Sequence, residues 1–130
     1  MENITCIMKK QRDFYAMKGA EPSEIKKTEE SLGVSFAEDY REYVGAFGAA
    51  SFAGHELTGV CKSPRLNVAA VTAEERKTND VPAGWYVLEQ ANIDGIVLWQ
   101  DKEGNVYQTM PSSAPKKICG SLAEYIALMV

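Results

Sequence analysis

Phe36, Tyr40, Val44 and Phe47 recur at i, i+4, i+8 and i+11, between a Ser35-x-x-Glu38 signature and Gly48. Only a helix brings that spacing onto one face. Glu38, Asp39, Arg41 and Glu42 fall off the stripe, so the helix has one apolar face to bury and one wet face. Ser35 and Glu38 fit a capping box, in which the two side chains satisfy backbone donors left over at a helix start. Gly48 supplies the stop. An aromatic stripe of this kind reads as core.

The neighbouring segments add further helices. Pro22 suits a first helical turn, Glu21 and Glu24 favour the positive end of the helix dipole, and Gly33 offers the left-handed stop, so a helix is predicted over about 22–32. Ile4, Ile7 and Met8 suggest a short helix near the start of the chain. A strand is expected over about 56–61, with Gly54 and Gly59 marking bends. Asn67 to Asn79 reads as a helix with Val68 and Val71 inward, although Thr72-x-x-Glu75 could start it later. Ser121-x-x-Glu124 caps a final helix carrying Leu122, Tyr125, Ile126 and Met129.

Between these last two helices the pattern turns to sheet. Trp85 to Glu89 is aromatic and β-branched, and Asn92-Ile93-Asp94-Gly95 is a turn signal. Ile96 to Gln100 is a nearly continuous apolar run, expected of a strand covered on both faces. Asp101 to Gly104 is a hairpin connection, and Val106 to Met110 returns. Pro111 to Pro115 is a loop leading to a further segment.

With 130 residues, 45% hydrophobic and 25% charged, the chain is read as one domain over 1–130 with one ordinary core. Composition excludes disorder, collagen and coiled coil. No stretch approaches the roughly 20 apolar residues of a spanning helix, so no membrane partner is expected. Net charge is −4; residues 1–65 carry 9 basic and 10 acidic side chains, and residues 66–130 carry 5 and 8. An excess of anions makes nucleic acid a poor direct ligand.

Catalytic sets are missing from the pattern. His55 is the only histidine, and no nucleophile elbow surrounds a serine. The pairs Glu29/Glu30, Glu38/Asp39 and Glu74/Glu75 are adjacent in helices, where side chains diverge by about 100°. Cys6, Cys61 and Cys119 lack the close spacing of a metal site, so no metal or other cofactor is expected. Ile4 to Met8 is too short for a secretory signal, and Lys9, Lys10 and Arg12 follow it rather than lead it. Reduced thiols in a cytoplasmic protein are therefore expected.

The order of segments resembles the SUKH superfamily, also called the Smi/Knr family. The matching pieces are GAEPSEIKKTEESLGVSF, AEDYREYVGAFGAASF, GHELTGV, VTAEERK, the strand Trp85–Leu88, the turn at Gly95, LWQDKEGNVY and SLAEYIALM, together about residues 19–129. Where the family usually has a proline opening the second helix, Ala37 stands here, and Ser35 is expected to cap instead. The resemblance implies an α+β fold, with a mixed or antiparallel sheet of about four to six strands packed by helices. It also implies no catalysis. Bacterial members look like immunity proteins that bind and neutralise a cognate toxin, often a nuclease; the fungal relatives suggest a regulatory protein-interaction module instead. A small-molecule site or enzyme is a third reading, which a pocket with converging carboxylates would favour.

An acidic chain suits a basic toxin. Glu89, Asp94, Asp101 and Glu103 are the acidic set expected to line one end of the sheet and meet that partner. Trp99, Tyr86 and Tyr107 read as core. Trp85, which follows Pro82-Ala83-Gly84 and starts a strand, is the aromatic expected to be exposed as an interface anchor.

Overall fold

The computed structural model describes residues 3–91 and 93–129, the side chain of Met129 excepted. Asn92 of the expected turn and the Met129 side chain of the last helical stripe lie outside the described residues. In chain order the elements are α1 (Ile4–Lys9), β1 (Tyr15–Ala16), α2 (Pro22–Leu32), α3 (Glu38–Phe47), β2 (Ala50–Phe52), β3 (His55–Glu56), α4 (Val68–Glu75), β4 (Tyr86–Gln90), β5 (Val97–Gln100), β6 (Val106–Thr109), β7 (Lys116–Cys119) and α5 (Leu122–Met129). The strands form a three-stranded sheet in the order β1-β2-β3 and a four-stranded meander β4-β5-β6-β7. Every strand pair in both is antiparallel. The fold is therefore α+β with antiparallel sheets, as the segment order implies.

α2 starts and stops where local chemistry dictates. Pro22 occupies its first turn, the Glu24 carboxylate accepts the Glu21 N–H at 3.0 Å, and Gly33 closes it at φ 71°. α3 starts differently from the expectation. Its N-cap is Ala37, with no side-chain cap, so Ser35 does not open this helix. The reason is tertiary: the Phe36 N–H donates to Glu29 Oε2 at 2.7 Å and the Ala37 N–H to the Tyr86 hydroxyl at 2.9 Å. Side chains from α2 and β4 thus hold the N–H groups of Phe36 and Ala37, and the Ala37 N–H is one that a serine cap at 35 would take. Ser35→Ala is accordingly expected to shift stability by less than about 0.5 kcal/mol. Ser121→Ala, which removes the hydroxyl accepting the Glu124 N–H at 3.1 Å, should cost about 1 kcal/mol. Urea midpoints of the two variants check the contrast, and equal losses would contradict it.

The α3 stripe is core, as its spacing requires. Phe36, Tyr40, Val44 and Phe47 are buried. The rings of Phe36, Tyr40 and Tyr86 meet pairwise at centroid distances of 4.8 to 4.9 Å, which locks α3 across β4. A second, smaller cluster on the opposite face of the meander gathers Val71, Trp85, Val87, Val97 and Trp99. β5 is buried at all four positions, between the two clusters.

Two element boundaries depart from expectation. The strand expected over 56–61 is a short hairpin, β2–β3, turning at Ala53 and Gly54 with φ of 48° and 82°. Beyond it, the N–H groups of Leu57, Thr58, Gly59 and Val60 donate to Ala50, Leu88, Leu66 and Gly48 respectively. Leu57 still follows the hairpin onto Ala50, but Thr58 and Gly59 turn away to Leu88 and Leu66 before Val60 returns to Gly48, so no ladder continues. α4 begins at Val68, because the Asn67 side chain caps it by accepting from Ala69 and Ala70 N–H. Thr72 lies inside the helix instead of capping it, and its hydroxyl accepts the Val87 N–H at 3.0 Å.

Candidate functional site

The four acidic residues expected at one end of the sheet are not together. In a meander, successive turns alternate ends. Asp94 sits in the β4–β5 turn, and Asp101 and Glu103 in the β5–β6 turn, one strand length of about 13 Å away. Asp94 is exposed there with φ 52°.

Glu89 faces inward. A β-bulge shifts the register between Val87 and Glu89, so that Val87 pairs with Trp99 but Glu89 pairs with Leu98. The extra residue turns the Glu89 side chain from the Val87 face to the main core face. It is only 4% exposed. Its carboxylate accepts from the Tyr125 hydroxyl on α5, and its other oxygen lies 3.0 Å from His55 Nδ1 on β3. Burial, and then the adjacent Glu89 charge, push the Tyr125 phenol well above its ordinary pKa, so it remains a donor.

Trp85, expected to be exposed, is 9% exposed. Its ring stacks on Tyr107 at 3.9 Å with 15° between the planes. Its carbonyl and that of Ala83 accept from Arg76. It belongs to the small core cluster rather than to an exposed anchor.

Asp101 uses its carboxylate within its own turn. Oδ1 accepts from the N–H groups of Glu103 and Asn105 at 3.0 Å, and Oδ2 accepts from Asn105 Nδ2 at 3.2 Å and the Tyr107 hydroxyl at 2.9 Å. Partial burial would raise its pKa, but these hydrogen bonds outweigh it and hold the carboxyl below the usual range. Tyr107 is pushed up by burial and by donating to that carboxylate. Asp101 thus shapes the turn, and Lys102 and Glu103 carry its exposed charges, of which Glu103 faces a groove.

What the turn approaches was not legible from spacing. A groove of about 450 Å³ runs between the N-terminus of α3, the β5–β6 turn and the β7–α5 junction. Glu38, Asp39, Glu42 and Glu103 line it, and among the described residues no lysine or arginine does. Glu38, Glu42 and Glu103 are exposed. Asp39 is committed: Oδ1 accepts from Gln100 Nε2 at 3.1 Å, and Oδ2 accepts the Leu122 N–H at 2.8 Å, capping α5 from α3. The Glu38 and Glu42 pair at i, i+4 shares one helix face, and in sequence it reads as a solvated face.

A second depression, of about 240 Å³, opens beside Glu89. His55, Glu56, Arg65, Leu66, Ile93 and Tyr125 border it. Arg65 grips Glu56 with two hydrogen bonds of 2.7 Å. The cysteines lie elsewhere: Cys6 is exposed, Cys61 half-buried and Cys119 buried, all unpaired. Burial pushes the thiols of Cys61 and Cys119 up, the reverse of an activated nucleophile. Among the described residues no group of three or more His, Cys, Asp or Glu could hold a metal ion, and no helix is long and apolar enough to cross a membrane.

No curated protein matches the chain. A family model of the SUKH group, described as SMI1-KNR4 cell-wall, matches residues 1–128, nearly the whole chain. With the α+β architecture, that match places the chain in a family by sequence and fold together: it belongs to the SMI1-KNR4 family of SUKH domains.

Proposed function

We propose that this chain is a single SUKH-type domain that works in the cytoplasm by binding another protein, as an immunity protein that neutralises a cognate toxin without catalysis. The observation that carries the reading is the groove at the α3 N-terminus, where Glu38, Glu42 and Glu103 expose three carboxylates and, among the described residues, no lysine or arginine lines it. Such a surface steers a basic partner, of which a nuclease-type toxin is the natural kind. Glu103 keeps the role expected of it in sequence, and Asp101 supports it by fixing the turn. Trp85, Glu89 and Asp94 stand away from this groove. The cell-wall wording of the family description favours a second reading, a regulatory interaction module of the Smi/Knr type.

The test begins with the protein as bait in a lysate of its own source. A stoichiometric partner whose toxic activity disappears on binding is the expected result; several housekeeping partners and no toxin would favour the regulatory module. With that partner in hand, Glu38→Lys, Glu42→Lys and Glu103→Lys combined should slow association about tenfold or more at low salt, with little change in dissociation. An association rate insensitive to both salt and the triple substitution would rule out the groove.

A further inference from the structure

The depression beside Glu89 differs from the acidic groove in one respect: its carboxylate is buried. Taking a carboxylate out of water is costly unless a cation or several donors accompany it. Among the described residues no lysine or arginine forms an ion pair with Glu89; only His55 does. Its two oxygens accept one hydrogen bond each, from Tyr125 and His55, and each retains acceptor capacity. The nearby permanent cation is Arg65, and it is already bidentate on Glu56. The depression therefore holds two carboxylates against one permanent cation.

Size and rim point the same way. At about 240 Å³ the space is smaller than the roughly 300–1,000 Å³ of drug-sized ligand sites, and suits one long side chain. Ile93, on the rim, is 61% exposed, an apolar surface that folding leaves in water. Leu66 and Ala91 extend that apolar wall. A side chain with an aliphatic stem and a cationic head matches this sequence of surfaces.

We infer that this depression receives a lysine or arginine side chain of a bound protein, with its cationic head at Glu89 and its stem on Ile93 and Leu66. The inference rests on the reading of the chain as a binder of a basic protein, and it gives that partner a specific anchor. The location is compatible with one partner covering both sites. Ser121 and Ala123 of the α5 end line the groove, and Tyr125 lines the depression, four residues or about 6 Å further along the helix from Ser121. An arginine in a desolvated pocket is the type of anchor on which interfaces depend most.

The test needs no toxin. The intact chain is titrated with n-butylguanidinium and, separately, with its neutral relative n-butylurea, and amide and side-chain NMR shifts are followed. The expected result is saturable binding of the cation, with a Kd on the order of 1–10 mM, and shifts confined to the residues around the depression, 54–58, 65–66, 89–91, Ile93 and Tyr125. Butylurea should give none. Glu89→Gln should weaken the cation about tenfold, and Ile93→Ser, at an exposed position where folding is not at stake, about threefold. Equal responses to the two probes, no saturable response, or shifts centred on residues 38–42 and 103 would each overturn the assignment. Cation binding at Glu89 in a protein that captures no toxin would leave the pocket standing and remove the immunity reading. A captured toxin with a silent pocket would do the reverse.

Discussion

Gly59→Ala is expected to destabilise the fold by about 3 kcal/mol or more, the upper end of what overpacking usually costs. A Cβ at this position would stand 1.8 Å from the Gly48 carbonyl oxygen and 2.8 Å from Ala49 Cα. Both are main-chain atoms, so no rotamer change relieves the clash. Nor can the segment move away freely. The Gly59 N–H donates to Leu66 O and its carbonyl accepts from Val68 N–H, both at 2.8 Å, while Val60 N–H holds Gly48 O at 2.9 Å. Separating the segments to admit a methyl group would break that last bond and loosen the entry to α4. Gly84→Ala is the matched control: its Cβ would meet nothing within 4 Å, and its effect should stay within about 0.5 kcal/mol. Urea unfolding of both variants decides the matter. Coincident midpoints would mean that the crossing of residues 48 and 59 is more pliable than its geometry requires.

Gly59 also illustrates what a sequence can and cannot convey. Its glycine is visible, and a bend is a fair expectation, but the close approach to Gly48 depends on two segments eleven residues apart being brought together. Features set by neighbours in the chain were legible: Pro22 and Gly33 bounding α2, the Phe36-to-Phe47 stripe, Gly104 in its turn, Ser121 capping α5. Features set across the fold were not. Ser35 had the pattern of a cap, yet the Tyr86 hydroxyl took the Ala37 N–H it would have used, and Glu29 held the Phe36 N–H beside it. Glu89 follows Val87 by two residues and should share its face by alternation, yet the bulge sends it to the other. Asp94 is a different case, because alternating turns in a meander already separate it from Asp101; that signal was present in the order of the strands. The groove required α3, a β-turn and the start of α5 to converge, and no spacing in the chain records it.

The same convergence makes Gln100→Leu the second variant with a large expected effect, about 3 kcal/mol. In sequence Gln100 is the polar end of the apolar run Ile96 to Gln100. In the fold it is fully buried, and it joins four elements. Its Nε2 donates to Asp39 Oδ1 and to the Gly104 carbonyl, each at 3.1 Å, and its Oε1 accepts from the Tyr86 hydroxyl at 2.6 Å. That hydroxyl also accepts the Ala37 N–H, and burial keeps the Tyr86 phenol protonated by pushing its pKa up. Leucine has similar bulk but no polar atoms. It would leave the Tyr86 proton and the buried Gly104 carbonyl without partners, at about 1–3 kcal/mol for each unsatisfied group. Tyr86→Phe removes the other end of one of these bonds, so the double variant should be less destabilised than the sum of the single ones, by about 1 kcal/mol. Strict additivity would show that the two side chains do not act as a unit. The variant also links stability to binding, because Asp39 lies in the groove wall and caps α5 with its second oxygen. If Gln100 holds Asp39 in place, Gln100→Leu should weaken a basic partner while Glu38, Glu42 and Glu103 all remain. Loss of stability with unchanged binding would mean that the groove is set by its exposed carboxylates alone.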